Sequence, residues 1–183
     1  FVFAGKAHPL DEGAKQILAR AFELKGVPRV ADHVAFLEDY DLSFAPLLMA
    51  GCDLWVNVPR PPEEASGTSG MKVALNGGLN LSVLDGWWAE AHDGANGWAI
   101  DGSTDPDHEA QDHRHAQALY DLLEQEVVPL FADRDDHGLP TRWLAMVRHS
   151  LLTNAPRFSA TRMVREYAER IYPPSGRDGA PGP

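Results

Sequence analysis

Short apolar runs alternate with amphipathic stretches along the first half of the chain. The apolar runs predict strands, and the stretches with apolar residues at helical spacing predict helices. We expect strands at residues 1–4, 33–37, 53–58 and 79–84, the first two of them buried, and helices at residues 11–24, 42–50 and 71–76. This alternation is typical of an α/β fold with a doubly wound parallel sheet.

Beyond Asp101 the pattern predicts helices alone. We expect a long helix at residues 105–132, kinked or ended by Pro129, and two more at residues 142–153 and 159–172, the last capped near Ser159 or Thr161. The end of the chain is rich in proline and glycine, which predicts a disordered tail. The expected organisation is an α/β part at residues 1–104, a helical part at 105–172 and the tail at 173–183.

Composition places the chain among soluble globular proteins. Of its 183 residues, 44% are hydrophobic and 23% are charged, which is enough for a real core. The formal net charge of −11 argues against nucleic acid or an anionic membrane as partner. The sequence shows no leader and no long apolar run, so we expect the cytoplasm. Cys52 is the only cysteine, which excludes an intrachain disulfide and indicates a reduced core residue.

The most informative stretch is residues 63–77. A polar loop at residues 65–70 leads into the helix expected from Met71. Its glycines allow a close backbone approach to a ligand, and the helix start offers free N–H groups, so the pattern predicts a phosphate cradle. The amine of Lys72 beside it fits a phosphorylated cofactor held as a Schiff base. On the local pattern alone, a glycine-rich turn with a solvated lysine stays open.

The spacing of this stretch does not fit the P-loop of nucleotide-binding proteins. That motif needs four residues between its glycines and a lysine directly after the second glycine. Here two residues separate Gly67 from Gly70, and Met71 stands before Lys72. Lys6, Tyr40 and residues 64–72 all follow predicted strands. Because ligands bind beyond the carboxyl ends of parallel strands, we expect these three segments at one edge of the sheet.

These motifs resemble those of the α-glucan phosphorylases, and their residues are most similar to those of the bacterial branch. The resemblance lies in residues 64–72, Glu-Ala-Ser-Gly-Thr-Ser-Gly-Met-Lys, followed by Asn76-Gly77 and Leu84-Asp85-Gly86. Further similarity is found at residues 4–9, 38–40, 155–158 and 161–167. The resemblance implies the Rossmann-like C-terminal domain of a GT-B glycosyltransferase fold. It also implies that the chain is the C-terminal piece of a longer enzyme.

The resemblance implies a reaction and the residues that serve it. The family transfers a terminal glucosyl unit of an α-1,4-glucan to inorganic phosphate, giving glucose 1-phosphate with retention. Lys72 would hold pyridoxal 5′-phosphate as a Schiff base, and the phosphate of the cofactor would act in proton transfer. The remaining implied cofactor contacts are Thr68, Ser69 and Tyr40, and the implied substrate contacts are Glu64, Ala65, Ser66, Gly67 and Lys6.

Parts of the family pattern differ or are missing here. Asp41 stands where better-known members carry an arginine after the tyrosine, which removes a cation on the phosphate side. The basic cluster for the substrate phosphate and the N-terminal domain lie upstream in the family, so we expect this chain alone to be inactive. The resemblance leaves the preferred glucan, a homo-oligomeric state and the exact role of Lys6 open.

Two other functions are weighed against this one. Sugar-nucleotide transferases of the same fold, such as glycogen synthases, commonly carry a second glutamate eight residues after the first; counted from Glu64, that position is Lys72. An amine at this position favours the pyridoxal cofactor and argues against nucleotide-sugar chemistry. A non-catalytic glucan-binding module stays open.

Several other residues are given structural interpretations. The spacing of His108, His113 and His115 matches no zinc motif, so we expect no metal and a solvated helix face. Trp87, Trp88 and Trp98 could line a sugar site, but core packing is favoured. Asp135 and Asp136 are expected in a turn.

Overall fold

A computed structural model describes residues 1–172, and the tail predicted at 173–183 lies outside these residues. The chain divides into two compact units, Phe1–Leu48 and a second that begins at Met49. Both contain parallel strands and helices, which confirms the predicted α/β class. The strands expected in one sheet fall into two sheets, one in each unit. The division predicted at residues 104/105 stays a prediction.

The first unit contains a two-stranded parallel sheet and one long helix. Strand β1 (Val2–Ala4) pairs with β2 (Ala35–Leu37), and helix α1 (Glu12–Glu23) lies between them in the chain. The Asp11 carboxylate caps α1 by accepting the Ala14 N–H at 2.9 Å. Phe22 of α1 packs edge-on against Phe36 of β2, with ring centroids 5.6 Å apart. Two 3₁₀ turns, Leu24–Gly26 and Ala31–His33, lead back from α1 to β2.

The expectation that the first two strands are buried is wrong. Val2 and Phe3 are 59% and 37% exposed, and Ala35 is exposed as well. An apolar run predicts a strand more securely than it predicts burial, because burial depends on what packs against both faces of the sheet. Helix α2 (Ala45–Gly51) begins three residues later than expected. In the turn that precedes α2, the Asp41 carboxylate accepts the N–H groups of Ser43 and Phe44.

The second unit is built on a three-stranded parallel sheet with β4 in the centre. Its strands are β3 (Leu54–Asn57), β4 (Leu79–Val83) and β5 (Gly97–Ile100). Helix α3 (Thr68–Leu75) connects β3 to β4, and helix α4 (Gly86–Ala91) connects β4 to β5. The sequence pattern did not predict α4 or β5. Both are short, and a four-residue run such as β5 carries too few positions to show a period.

The two faces of β4 differ in chemistry although all five of its residues are buried. Leu79, Leu81 and Val83 share one face and belong to the main apolar cluster. The other members of this cluster are Trp98, Ile100, Val127 and Trp143. Asn80 and Ser82 share the opposite face, where the Asn80 side-chain amide donates to the Gly70 carbonyl of α3 at 3.2 Å.

The helices after the sheet follow the prediction closely. Helix α5 (His108–Leu122) continues through a π-helical segment, Leu123–Val127, into α6 (Val128–Ala132). Helices α7 (Thr141–Arg157) and α8 (Ala160–Arg170) come next. The Ser159 hydroxyl caps α8 by accepting the Arg162 N–H at 3.2 Å, as predicted for Ser159. None of the helices within residues 1–172 combines the length and the apolar character that crossing a bilayer requires.

The interpretations of the aromatic and histidine residues have mixed outcomes. Core packing is confirmed for the three tryptophans, which are at most 4% exposed, and Cys52 is a half-buried free thiol. Burial raises the pKa of that thiol. The solvated face is wrong for His115, which is 6% exposed. His115 stands four residues after the buried Gln111 and therefore shares its inward face of α5.

Candidate functional site

The start of α3 is the centre of the candidate site. The helix begins at Thr68, three residues earlier than expected, with Gly67 as its N-cap in the left-handed conformation (φ +84°, ψ +42°). Thr68 and Ser69 therefore stand in the first turn, where backbone N–H groups have no acceptor four residues earlier inside the helix. The positive end of the helix dipole lies at the same place, so this turn favours a bound anion.

Two glycines at the start of α3 are required by close packing. A Cβ atom on Gly67 would lie 2.9 Å from Cδ1 of Trp87, and one on Gly70 would lie 2.6 Å from Oδ1 of Asn80. Both distances are shorter than any ordinary contact of a side chain. The first turn of α3 is therefore held directly against Trp87 of α4 and Asn80 of β4.

Lys72 stands on the outer face of α3. It is four residues after Thr68, so the two side chains leave the helix on the same side. Lys72 is exposed, and the ion pairs found within residues 1–172 do not include it. Its backbone carbonyl accepts the Asn76 side-chain amide at 2.8 Å. The structure thus presents a primary amine one turn beyond the N–H groups of the helix start.

Glu64 is half-buried and is held by its backbone and its side chain. Its N–H donates to Oδ2 of Asp85 at 2.9 Å, and its Oε2 accepts from the side-chain amide of Asn57 at 3.3 Å. The other carboxylate oxygen, Oε1, lies 3.3 Å from where a Cβ of Gly67 would be. The carboxylate is therefore placed beside the first turn of α3.

The backbone between Glu64 and α3 leaves donors free. The Ser66 carbonyl accepts the Trp87 N–H at 2.8 Å, which ties this segment to α4. Within residues 49–172, the backbone N–H groups of Ala65, Ser66 and Gly67 donate to no protein acceptor. Ala65 and Ser66 are exposed. These N–H groups and the Glu64 carboxylate together suit a ligand that carries several hydroxyl groups.

The connection that precedes Glu64 is anchored to α5. Arg60 donates from Nη2 to Oδ2 of Asp112 at 2.7 Å, and its Nη1 lies 3.4 Å from Nδ1 of His108. The turn that follows is closed by the Glu63 N–H, which donates to the Arg60 carbonyl at 2.9 Å. The start of this connection is therefore held against α5.

Lys6 and Tyr40 belong to the first unit. They follow β1 and β2, which are parallel neighbours, so both residues lie at the carboxyl edge of that sheet. The Lys6 ammonium lies 3.8 Å from the Asp39 carboxylate, and Tyr40 is half-buried. The Ser43 hydroxyl and the N–H groups of Ser43 and Phe44 lower the pKa of Asp41, so this carboxylate acts as a local cap. Their expected meeting with residues 64–72 stays a prediction.

Sequence reasoning missed the residues that hold this loop in place. Asn57, Asn80, Asp85 and Trp87 all contact the segment between Glu64 and Gly70. In the sequence, Asp85 stands out only as part of the Leu84-Asp85-Gly86 motif. A signal for Asn57 existed, because it is a polar residue at the carboxyl end of an apolar strand. In the part of the chain that the structure describes, no three metal-ligating side chains come together.

The chain has close relatives among known proteins. The sequence profile of a family described as carbohydrate phosphorylase matches residues 1–128. Glycogen phosphorylase of Mycobacterium tuberculosis is 51% identical over 96% of this chain, and maltodextrin phosphorylase of Thermococcus litoralis is 47% identical over 93%. The muscle form of human glycogen phosphorylase is 28% identical over 93% of the chain and 26% of its own length. The chain spans 20% of the length of the first two relatives. It belongs to the carbohydrate phosphorylase family.

Proposed function

We propose that this chain serves the phosphorolysis of α-1,4-glucans. In this reaction a terminal glucosyl unit passes to inorganic phosphate and gives glucose 1-phosphate with retained configuration. One observation carries the proposal: the amine of Lys72 lies one turn beyond the helix start at Thr68 and Ser69, and the Glu64 carboxylate stands beside that start. Membership of the family supports it, since the named relatives are glycogen and maltodextrin phosphorylases.

The residues around α3 fit pyridoxal 5′-phosphate. Lys72 offers an exposed primary amine that would hold the cofactor covalently, and the first turn of α3 suits the phosphate group. Thr68 and Ser69 would bind that phosphate through N–H and hydroxyl donors, and we propose Tyr40 as a further contact. When bound, the cofactor supplies a phosphate group that takes part in proton transfer next to the substrate phosphate.

Glu64 and the backbone after it would orient the glucosyl unit. A carboxylate accepts hydrogen bonds from sugar hydroxyls, and the free N–H groups of Ala65, Ser66 and Gly67 donate to them. Holding the sugar in one orientation lowers the entropic part of the barrier. Glu64 is fixed by protein contacts in advance, so substrate binding would not have to order it.

The substrate phosphate requires nearby positive charge, and this chain has few cations to provide it. Two phosphates side by side repel each other strongly in a partly dry cleft. We propose Lys6 as one compensating cation, although the chain as a whole carries a formal charge of −11. We therefore expect no phosphorolysis by this chain alone and propose that an N-terminal domain completes the site. The cytoplasm remains our proposed compartment.

The cofactor assignment is tested by chemical trapping. The chain is incubated with pyridoxal 5′-phosphate, reduced with borohydride, digested and mapped by mass spectrometry. We expect the pyridoxyl group on Lys72 in preference to the three other lysines, Lys6, Lys15 and Lys25. Lys15 is an internal control, because its ammonium is held by Glu12 and the Pro9 carbonyl. Preferential labelling of any lysine other than Lys72 would contradict the assignment.

The reaction is tested in a hybrid holoenzyme. In this hybrid, residues 1–183 replace the matching fifth of the Mycobacterium tuberculosis relative. The hybrid is loaded with pyridoxal 5′-phosphate and given a maltooligosaccharide and inorganic phosphate. We expect glucose 1-phosphate from the hybrid and none from the isolated chain. A correctly folded hybrid that binds cofactor and releases no glucose 1-phosphate would sink the proposal, provided that the unmodified relative is active in the same assay.

A further inference from the structure

The connection that carries Glu64 is held by two residues to which the family resemblance gives no role, Asn57 and Asp85. We propose that Asn57 and Asp85 are positioning residues: Asn57 fixes which carboxylate oxygen of Glu64 meets the sugar, and Asp85 fixes the backbone that carries it. This inference rests on the proposed function, because it concerns how the glucosyl unit is held.

Asn57 occupies the last position of β3 and lies between Glu64 and β4. Its side-chain nitrogen is 3.3 Å from Oε2 of Glu64 and 3.5 Å from the Ser82 hydroxyl. Asn57 and Ser82 are register partners across β3 and β4, so the amide is held by the sheet itself. An amide that donates to Oε2 leaves the lone pairs of Oε1 for another donor. Oε1 lies on the side of Gly67, where the free backbone N–H groups are.

Asp85 joins the same loop to the sheet and to α4. Its Oδ2 accepts the Glu64 N–H and its Oδ1 accepts the Gly86 N–H, both at 2.9 Å. The second contact caps α4. The Asp85 N–H donates to the Val83 carbonyl at 2.8 Å, and this hydrogen bond holds Asp85 close to the end of β4. Hydrogen bonds to an ionised acceptor are stronger than those between neutral groups, so a carboxylate at this position holds the Glu64 backbone firmly.

The residues after Asp85 also hold the Glu64 segment, because they pack closely against it. A Cβ on Gly86 would lie 2.8 Å from Cγ of Glu64 and 2.8 Å from the Ser66 carbonyl oxygen. Gly86 also has φ +50°, which a side chain would strain. Trp87 donates its N–H to that same Ser66 carbonyl at 2.8 Å. Residues 85–87 therefore form a close support for residues 64–66, and Asn57 adds the contact to the Glu64 carboxylate.

The test is a double-mutant cycle in the hybrid holoenzyme. We expect Asn57→Ala to lower kcat/KM about tenfold, the usual effect of one lost hydrogen bond to a charged group. Glu64→Ala should lower kcat/KM by more than Asn57→Ala does. If Asn57 acts through Glu64, then Asn57→Ala should cause no further loss in the Glu64→Ala background. Asp85→Asn, which keeps one acceptor oxygen, should lower kcat/KM by less than tenfold.

The matched control is Asp101→Asn. Asp101 follows β5 as Asp85 follows β4, and its carboxylate accepts from Ser103 instead of from the Glu64 loop. We expect Asp101→Asn to leave kcat and KM unchanged. A second readout is pyridoxyl labelling of Lys72, which should be equal in the hybrid with and without Asn57→Ala. That equality separates the placement of Glu64 from a general loss of structure around α3.

Each outcome of the cycle has a definite meaning. Equal losses from Asn57→Ala with and without Glu64 would overturn the inference, and so would a fall in Lys72 labelling. These results can occur while the hybrid makes glucose 1-phosphate, so they leave the proposed function standing. A hybrid that makes no glucose 1-phosphate would overturn the proposed function and this inference with it.

Discussion

The two faces of strand β4 serve different purposes although they belong to the same five residues. On one face, three aliphatic side chains pack against β5 and the helices that follow the sheet. On the other face, Asn80 and Ser82 make hydrogen bonds to the elements that carry the candidate site. Both faces are fully buried. Burial alone therefore does not distinguish a residue that packs the core from one that holds the elements of the candidate site.

The two faces differ in how strongly their contacts depend on exact geometry. The apolar face gains its free energy from area removed from water, which does not depend on direction. The polar face works through donors and acceptors that must meet at about 3 Å. A change on the apolar face should lower stability and leave the site in place. A change on the polar face should move α3 as well.

The largest expected effect on stability is on the apolar face. Leu81→Ala removes a fully buried side chain from β4 and should lower the free energy of unfolding by about 2–5 kcal/mol. Urea unfolding followed by tryptophan fluorescence measures it, because all five tryptophans lie in the second unit. Leu152→Ala is the control, since Leu152 is 60% exposed and should change stability by less than about 0.5 kcal/mol. Folded Leu81→Ala should still be labelled at Lys72.

The next effect should come from the polar side of the sheet. Gly70→Ala forces a methyl group onto Asn80 and Trp87 and should cost about 1–3 kcal/mol in the same unfolding assay. Because α3 would have to shift, labelling of Lys72 should fall too. Gly51→Ala is a matched helical control, with open space at its Cβ position and an expected neutral or stabilising effect. Full labelling of folded Gly70→Ala would break the distinction between the two faces.

A smaller effect concerns a link between the α4–β5 connection and α7. The Asp93 carboxylate lies 2.9 Å from Nε2 of His149. Burial raises the pKa of Asp93, but hydrogen bonds from the Ala95 N–H and His149 outweigh it, so this pKa lies below its ordinary value of 3.8. A carboxylate with a lowered pKa stabilises the fold above its ordinary value, and this stabilisation disappears as the pH falls through the lowered pKa.

The corresponding measurement is urea unfolding between pH 5 and pH 3. Asp93→Asn should reduce the loss of stability over this range by less than about 1 kcal/mol, because the pair is partly exposed. His149→Ala should reduce it in the same direction. An acid-induced loss that is unchanged in both variants would show that the pair contributes nothing.

The smallest effect on stability is expected at Lys72 itself. Lys72→Ala removes an exposed side chain and keeps the backbone carbonyl that Asn76 binds, so stability should change by less than about 0.5 kcal/mol. The same variant should lose the preferential pyridoxyl label completely. A residue that matters for ligand binding and not for the fold would then stand directly beside Val73 and Ala74, which are buried in the fold.

The sequence predicts four of the five strands in residues 1–172 and most of the helices there, because apolar runs and helical spacing are local signals. It fails where the outcome depends on distant partners. The sequence pattern puts Gly70 in the loop, but Gly70 lies inside α3, where Asn80 and Trp87 leave no space for a side chain. The separation into two sheets has the same cause, since strand pairing is decided by residues far apart in the chain.

The candidate site shows a similar division. The motif around Lys72 predicts which residues contact ligands, because their chemistry is visible in the sequence. The support under Glu64 was not predicted, because Asn57 and Asp85 stand seven residues before it and 21 residues after it. The register of β3 and β4 pairs Asn57 with Ser82, three residues before Asp85, and so brings both supports to the same end of the sheet.

The π-helical segment Leu123–Val127 sets the rotational phase of the helix that follows it. An α-helix advances by about 100° per residue, and a π turn accommodates one residue more than an α turn. Helix α6 is therefore rotated relative to a direct continuation of α5, and this rotation directs Leu130 into the main apolar cluster. Deleting one residue from this segment would close the π turn to an α turn and leave Leu130 in the same rotational phase, whereas an α-helical path that kept every residue would turn Leu130 away by about 100°. The π turn absorbs one extra residue, so a one-residue deletion within this segment should be tolerated better than the same deletion elsewhere in these helices.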